Sequence, residues 1–298
     1  MHIECFKYFS EVAKAKSISK VATISHISQS ALSQQIQRLE ESLGYKLLKR
    51  SNKGVELTRE GEIVKKYSEN IMRTFDKMVE DLNDIDKNNN VIRIDSCYAV
   101  STYALPCTLY SMKKKFPYHD YKLTSNFSDT VEQNVLNNIC DIGFIYHKPL
   151  DNSLSYYKAT TDNLVLVSSQ DFKIPDEIES NHLLDYPLIL LNDRLNLTNT
   201  LNSNFKHYGL SSKDLNILFT LDSTESVKSS ILNGYGVAFL PYISVKKELY
   251  TKQLKEIKIN NFSLTYDIYI INKRNQYTSH AIEEFIDYFQ KVGKKSFC

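Results

Sequence analysis

The chain has 298 residues, of which 42% are hydrophobic and 24% charged, with only 8 Gly and 6 Pro. This composition excludes a disordered or fibrous protein, and the length allows two or three domains that each bury a core. The formal net charge of +2 argues against a uniformly basic coat for nucleic acid.

The sequence contains no sign of a membrane segment or of an exported protein. No apolar stretch approaches the roughly 20 residues of a membrane-spanning helix, and the N-terminus lacks the pattern of a signal peptide. We therefore expect a cytoplasmic protein with no membrane partner.

The five cysteines are Cys5, Cys97, Cys107, Cys140 and Cys298. Because they are widely spaced and form no C-x-x-C pair, we expect buried thiols, with no disulfide framework, metal site or cofactor.

The N-terminal part combines positive charge with short predicted helices. Residues 1–65 carry 11 Lys or Arg against 7 Asp or Glu. Apolar residues at three- and four-residue steps predict a first helix that stops near Lys16 and a second that begins at Ser19. Ser28 is a candidate N-cap for a longer helix that ends at Gly44. Two short helices, a tight link and a longer third helix are the parts of a helix-turn-helix.

The polar side of this third helix carries the candidate DNA contacts. Leu32, Ile36 and Leu39 occupy its apolar side. Gln side chains can bond adenine in bidentate fashion, and Ser and Arg reach bases or phosphates. The candidates are Ser28, Gln29, Ser30, Ser33, Gln34 and Arg38. A solvated helix face without any ligand is the alternative interpretation.

A basic turn follows Gly44. Two short apolar runs flank the segment 49–54, Lys-Arg-Ser-Asn-Lys-Gly, which predicts a hairpin with a basic tip. Arg50 and Lys53 are candidate contacts to the DNA backbone or minor groove. An ordinary charged turn is the alternative.

A long helix is predicted from Thr58 to Asp86, followed by a hinge loop that ends at Asn90. Its apolar residues repeat at steps of three and four and form one narrow stripe. The stripe consists of Ile63, Tyr67, Ile71, Phe75, Met78, Leu82 and Ile85. Because such a stripe needs a partner and a second copy of the helix is the simplest one, we expect a homodimer.

Beyond residue 90, strand-like and helical segments alternate, which predicts a mainly parallel α/β sheet. The predicted strands are 91–95, 141–145, 164–168, 188–191, 237–240 and 266–271, and the predicted helices are 102–116, 129–138, 226–233 and 279–291. In such sheets, ligands bind beyond the carboxyl ends of strands, near helix N-termini.

Three chain turns of this kind carry candidate effector-binding residues. The candidates are Ser96, Cys97, Tyr98, Ser101 and Thr102 at the first turn, Ser125, Phe127 and Ser128 at the second, and Asp222, Ser223 and Thr224 at the third. Hydroxyls and free amides at helix N-termini bind anions, so a small anion is the leading expectation, with Arg194 and Lys148 as further candidate anchors. Alternatively, Ser101, Ser128 and Ser223 act only as N-caps.

Several segments resemble the signature of the LysR-type transcriptional regulators. They are Ser17–Ala22, Ile27–Gly44, Leu47–Arg50 and Leu57–Gly61, followed by Cys140–Ile145 and Gly234–Pro241. Two positions depart from the family pattern, because Ser30 stands where Pro is common and Gln34 where Arg or Lys is usual. The base preference is therefore expected to differ from that of other members.

The resemblance implies a fold and a domain plan. It implies an N-terminal winged helix-turn-helix and a long linker helix, followed by a two-lobed α/β effector domain like a periplasmic binding protein. The expected domains are 1–58 for DNA binding, 59–90 for the linker and 91–298 for the effector. Lobe I would comprise 91–161 and 267–298, and lobe II would comprise 162–266, with crossings near Thr161 and Tyr266.

The predicted function is a sequence-specific DNA-binding transcriptional regulator that responds to a small-molecule effector. The expected partners are double-stranded promoter DNA, the effector and further copies of the chain, with a tetramer and contact to RNA polymerase as further candidates. A cleft enzyme or a small-ligand-binding protein with a degenerate DNA-binding domain is the alternative. The chain has no nucleophile elbow, metal-binding spacing or phosphate loop to support an enzyme. Redox-sensing members of this family use a cysteine pair in lobe II, and because no Cys falls between residues 141 and 297, the resemblance disfavours redox sensing.

Overall fold

The computed structural model describes residues 2–51, 54–85, 90–192, 201, 205, 214–274, 280–292, 295 and 297. The chain forms two compact units, with the elements up to residue 85 in the first and those from residue 90 onward in the second. Within these described ranges, no helix combines the length and apolarity needed to cross a bilayer.

The first unit begins with three helices, continues through a hairpin and ends in a long helix. Its elements are α1 (Glu4–Ala15), α2 (Ile18–Ile24), α3 (Gln29–Leu43), β1 (Leu48–Ser51), β2 (Gly54–Leu57) and α4 (Arg59–Ile85). Helix α2 starts earlier than expected, because the hydroxyl of Ser17, not Ser19, caps it by accepting a bond from Lys20 N. Ser28 caps α3 as predicted, and Gly44 ends it in the left-handed conformation at φ 76°.

The core of this unit lies between α1, α2, α3 and the hairpin. Leu32, Ile36 and Leu39 are buried, as the helical spacing predicts. Strands β1 and β2 pair antiparallel, with Leu48 opposite Leu57. The start of α4 packs closely on Leu47, the residue before β1, and a Cβ atom at Gly61 would lie only 2.1 Å from the carbonyl oxygen of Leu47.

The second unit alternates strands and helices. Its elements are β3 (Asn90–Cys97), α5 (Tyr98–Tyr103), α6 (Leu105–Lys115), β4 (His119–Asn126), α7 (Ser128–Leu136), β5 (Ile142–Ile145), β6 (Leu154–Ser169), β7 (Glu177–Ile178), a 3-10 helix (Ser180–Asp185), β8 (Leu188–Leu191), β9 (Ile217–Leu221), α8 (Thr224–Leu232), β10 (Ala238–Pro241), α9 (Tyr242–Tyr250), β11 (Leu254–Ile259), β12 (Thr265–Lys273) and α10 (His280–Val292).

The sheet of this unit is mixed, which corrects the expectation of a mainly parallel one. The strand order is β4-β3-β5-β12-β6-β11-β7, and β10 also pairs with β6. Strand β3 runs parallel to β4 and β5, whereas β6 pairs antiparallel with β10, β11 and β12. The prediction was wrong because β6 is 16 residues long and only its apolar segment 164–168 has the pattern of a strand. Its first half is rich in Tyr, Lys and Thr.

Strands β6 and β12 connect the two halves of the sheet. Residues 154–163 of β6 pair with β12, and residues 164–169 pair with β10 and β11. Polar bonds tie β6 to β12 where the pairing changes. The hydroxyl of Tyr266 donates to Asp162 at 2.6 Å, and that of Thr161 donates to Asp267 at 2.8 Å. These contacts tie β6 to β12 at these residues, and the lobe crossings expected near Thr161 and Tyr266 stay a prediction.

The predicted helix 102–116 is two helices, α5 and α6, that meet at Ala104. Helix α5 begins at Tyr98, four residues before the predicted start. Pro106 lies in the first turn of α6, and because proline has no N–H to donate to the preceding turn, it starts a new helix there.

The cysteines follow the expectation of buried thiols only in part. Cys5, Cys97 and Cys140 are free and buried. Cys107 is different: it is exposed on α6 and disulfide-bonded. An outward-facing thiol can bond to another segment, and the spacing of cysteines in the sequence does not reveal which thiols face outward.

Candidate DNA-binding surface and effector cleft

Helix α3 presents a polar face to solvent opposite its buried residues. Gln29, Ser30, Gln34 and Arg38 are exposed, and Ser33 is half-buried. Ser28 is also exposed, but its hydroxyl already accepts a bond from Ala31 N at 3.1 Å. It therefore shapes the start of the helix, and its direct contact with DNA stays a prediction.

The hairpin places one candidate contact in β1. Arg50 lies opposite Val55 in the β1–β2 register, whereas Lys53 lies outside the described residues. The exposed Lys49 precedes Arg50 in the same strand. The predicted hairpin is present, and its contact with DNA stays a prediction.

Glu40 joins α3 to the hairpin. Its buried carboxylate accepts bonds from Leu47 N at 2.8 Å and Leu48 N at 3.2 Å, and from Lys46 Nζ at 2.8 Å. Burial would raise the pKa of this carboxyl, but the bonds from Lys46 and the two backbone amides outweigh that effect and lower the pKa. An ionised Glu40 thus fixes where β1 begins relative to α3.

A cavity of about 490 Å³ lies in the second unit, at the ends of β3 and β4 and at the start of α8. Its volume falls within the range of small-molecule sites. Eight of the candidate effector-binding residues line it: Cys97, Tyr98, Thr102, Phe127, Ser128, Asp222, Ser223 and Thr224. The cavity brings together all three predicted chain turns, which are far apart in the sequence.

Three candidates do not line this cavity. The hydroxyl of Ser96 donates to the carbonyl of Cys97 at 3.2 Å, and Ser96 is fully buried in β3. Ser101 and Ser125 lie 2.7 Å apart through their hydroxyl oxygens. That bond ties α5 to β4 beside the cavity, so these serines are in a position to hold its wall in place.

The alternative of simple N-caps does not describe Ser101, Ser128 and Ser223. Ser101 lies inside α5, not at its start. Ser223 occupies the N-cap position of α8 but makes no side-chain cap bond. The hydroxyl of Ser128 accepts a bond from Tyr146 N at 3.2 Å, which links α7 to the end of β5. Of these three, Ser223 has the hydroxyl that its helix leaves free for a ligand.

The cavity wall also contains residues that the sequence did not single out. They include Tyr103, Tyr146, Leu191, Glu225 and Pro241. Tyr146 directly follows β5 and Pro241 ends β10, so the rule that ligands meet the carboxyl ends of strands could have found both. Tyr103 could not be found in that way, because it lies at the end of α5 and not at the end of a strand.

The charged side chains of the described wall are both acidic. Asp222 precedes α8, and Glu225 lies in its first turn. Burial would raise the pKa of Glu225, but bonds from the Tyr103 hydroxyl and from Lys228 lower it. Lys228 Nζ is buried behind the wall, 3.0 Å from Glu225 and 2.7 Å from Glu248. Lys148 does not line the cavity, and Arg194 lies outside the described residues.

The buried environment of the Cys97 thiol at the cavity disfavours its reaction with oxidants. Complete burial raises its pKa to about 12, although hydrogen bonds partly offset the effect. A thiol with this pKa stays protonated at neutral pH, and the thiolate is the form that reacts with oxidants. The environment of Cys97 therefore gives no support to redox sensing.

The helix-turn-helix, the hairpin and the cleft together match known protein families. Residues 3–62 match the bacterial regulatory helix-turn-helix protein of the lysR family, and residues 86–294 match the LysR substrate binding domain. The chain belongs to the LysR family. It is thus a transcriptional regulator with a DNA-binding helix-turn-helix and an effector-binding domain of the two-lobed, periplasmic-binding-protein-like type.

Similar proteins cover nearly the whole chain. A probable RuBisCO transcriptional regulator of Phaeodactylum tricornutum is 28% identical over 94% of this chain and 94% of its own length. The crystal structure of the LysR family regulator CbnR has a TM-score of 0.75 and 19% identity, over 99% of this chain and all of that one. The CcmR regulatory domain of Synechocystis PCC6803, solved with 2-PG, covers 68% of this chain and 97% of its own, with 19% identity and a TM-score of 0.61.

Proposed function

We propose that this LysR-family regulator reads an operator with the exposed face of α3, through Gln29, Ser30, Ser33, Gln34 and Arg38. The observation that carries the proposal is the exposed polar face opposite Leu32, Ile36 and Leu39, because a helix-turn-helix offers such a face to the major groove. Arg50 and Lys53 would contact the DNA backbone or minor groove from the hairpin. CbnR has also been solved with its target DNA at full length.

The active form is proposed to be a homodimer, assembled through α4. The stripe on this helix leaves Ile63, Tyr67, Met78 and Leu82 between 48% and 62% exposed. Apolar side chains in such a row gain free energy when a second copy covers them. Two-fold pairing would also present two copies of α3 to a palindromic site. A tetramer and contact with RNA polymerase would build on this dimer.

The cavity in the second unit is proposed to hold a small-molecule effector. Thr102, Ser128 and Ser223 offer hydroxyl groups there, between elements of lobe I and lobe II. A ligand shifts the balance between two oligomer geometries only if it binds one of them more tightly. The role is regulatory rather than catalytic, and the protein would act in the cytoplasm, where its operator lies.

Footprinting of the purified full-length protein on its own upstream DNA at fixed salt tests this function. We expect protection of a palindromic site that changes in extent when one member of a metabolite panel is added. Equal affinity for the upstream DNA and for unrelated DNA of the same length would overturn the proposal.

A further inference from the structure

The charged groups that line the described part of the cavity are both hydrogen-bond acceptors. The carboxylate of Asp222 lines the cavity and has no hydrogen-bond or ion-pair partner among the described residues. The carboxylate of Glu225 lines it too. Lys228 does not cancel both of these charges, because it is shared between Glu225 and Glu248. The described wall and the groups directly behind it therefore carry net negative charge.

Asp95 orients the side-chain amide of Asn126 so that it offers the cavity a hydrogen-bond acceptor. This buried carboxylate lies at the end of β3 and accepts bonds from Asn126 Nδ2 at 2.9 and 3.0 Å, from Asn134 Nδ2 at 2.6 Å and from Thr124 Oγ1 at 3.1 Å. Because Asn126 lines the cavity and its amide nitrogen is held by Asp95, the atom it leaves for a ligand is the acceptor Oδ1.

Two of the helices that begin at the cavity, α7 and α8, already have an acidic residue in the first turn, whereas α5 and α9 have none. Glu225 lies in the first turn of α8, and Asp129 lies in the first turn of α7. Carboxylates in these positions complement the positive end of the helix dipole. An anionic ligand would therefore compete with side chains that already stabilise these ends, and it would be repelled by Asp222.

Aromatic rings complete the wall. Tyr98 and Phe127 meet edge to face with their centroids 5.1 Å apart, and Tyr103 and Tyr146 also line the cavity. The ring of Tyr103 already takes one cation, since Lys228 Nζ lies 5.0 Å from its centroid. Aromatic faces next to carboxylates are the arrangement with which proteins bind ammonium groups.

We propose that the effector cleft recognises a ligand with a positively charged nitrogen attached to an aromatic or other apolar body. The nitrogen would lie near Asp222, Glu225 and Asn126 Oδ1, and the apolar body would lie against Tyr98 and Phe127. This inference rests on the proposed effector role of the cavity. It replaces the anion expected from the helix N-termini with a ligand of the opposite charge.

Three probes of similar shape and different charge test the inference. Binding of 2-phenylethylamine, 2-phenylethanol and 3-phenylpropanoate to the full-length protein is measured by calorimetry at neutral pH. We expect the amine to bind at least about tenfold more tightly than the carboxylate, with the alcohol between them. In the Asp222→Asn variant, the ratio of amine to carboxylate affinity should fall several-fold. The matched control is Asp171→Asn, because Asp171 is an exposed carboxylate that does not line the cavity.

Three outcomes would overturn the inference: tighter binding of the carboxylate, an affinity ratio that Asp222→Asn leaves unchanged, or no binding of any probe up to its solubility limit. The same protein preparation is footprinted on its upstream DNA. Specific protection without a preference for the amine rejects only the charge of the ligand. If the unmodified protein protects no specific site, the regulatory function itself is rejected.

Discussion

At the scale of single residues, Glu40 shows how a buried charge can set the geometry of a DNA-binding surface. Its carboxylate accepts bonds from the two amides where the chain enters β1, so the ionised form stabilises the start of the hairpin. Its lowered pKa in the folded chain means that it contributes stability above the pKa of the unfolded state. That contribution is lost as the pH falls through the lower, folded-state pKa.

We therefore expect Glu40→Gln to cost about 1–3 kcal/mol of local stability at neutral pH, since a neutral amide accepts these bonds more weakly. Hydrogen exchange of the Leu47 and Leu48 amides measures this cost. In the unmodified protein, protection should decline through the acid range, whereas the variant should show a flatter pH dependence. Glu41→Gln is the control, because Glu41 is exposed one position along. Equal loss in both variants would contradict the assigned role of Glu40.

Gln29 provides the test of base reading by a single side chain. Because a bidentate contact to adenine distinguishes one base from the others, Gln29→Ala should cost about 1–3 kcal/mol on the operator and little on unrelated DNA. Titration of both DNAs at one salt concentration measures the difference. Gln253→Ala changes an exposed glutamine of the second unit and should alter neither affinity. If Gln29→Ala weakens binding to both DNAs equally, Gln29 contacts the DNA backbone and not a base.

At the scale of elements, the apolar stripe of α4 carries the proposed dimer. Met78→Glu would place a charge within the stripe, and burying that charge without a partner is costly. We expect the dissociation constant of the dimer to rise at least about tenfold, as measured by sedimentation at several protein concentrations.

Asp76→Lys is the control for the dimer experiment, since Asp76 is exposed on the same helix beside the stripe. It changes charge by a larger amount and should leave the dissociation constant nearly unchanged. A dimer that tolerates Met78→Glu as well as it tolerates Asp76→Lys would have to form through another surface.

Elements with a strong apolar period were predictable from the sequence, and elements whose periodicity is set by tertiary contacts were not. Helices α3 and α4 are predicted within a few residues of their ends, because their spacing and caps are local signals. The first half of β6 is not predicted, since its side chains alternate between partial burial and exposure and are largely polar. Tertiary pairing with β12 makes that segment a strand.

Many of the residues that line the cavity were predictable from the sequence, whereas the negative charge of its wall was not. The rule that ligands bind at strand ends groups Tyr98, Phe127 and Ser223 from the sequence alone. The acidic character of the wall depends on how Asp95 orients Asn126 and on which side chains pair with Lys228. These are contacts between residues distant in the sequence, apart from the Glu225–Lys228 pair. A sequence pattern holds no information on such pairings.

At the scale of the whole molecule, the proposed two-fold symmetry constrains the operator. Two copies of α3 related by one axis must meet half-sites on the same face of the DNA, about one helical turn or several turns apart. Inserting about 5 base pairs between the half-sites would rotate one of them to the opposite face, whereas inserting about 10 would restore the facing. Affinity should fall towards that of a single half-site in the first case and largely recover in the second.

Gel-shift titration of the three DNAs at fixed salt measures this dependence on spacing. The Met78→Glu variant provides the internal control, because a protein that no longer dimerises should bind all three DNAs with the same low affinity. If the unmodified protein also binds all three equally, the two helices α3 act independently, and the symmetry inferred from the stripe on α4 does not govern DNA recognition. A loss of affinity that grows steadily with inserted length would instead indicate that separation, not helical facing, limits binding.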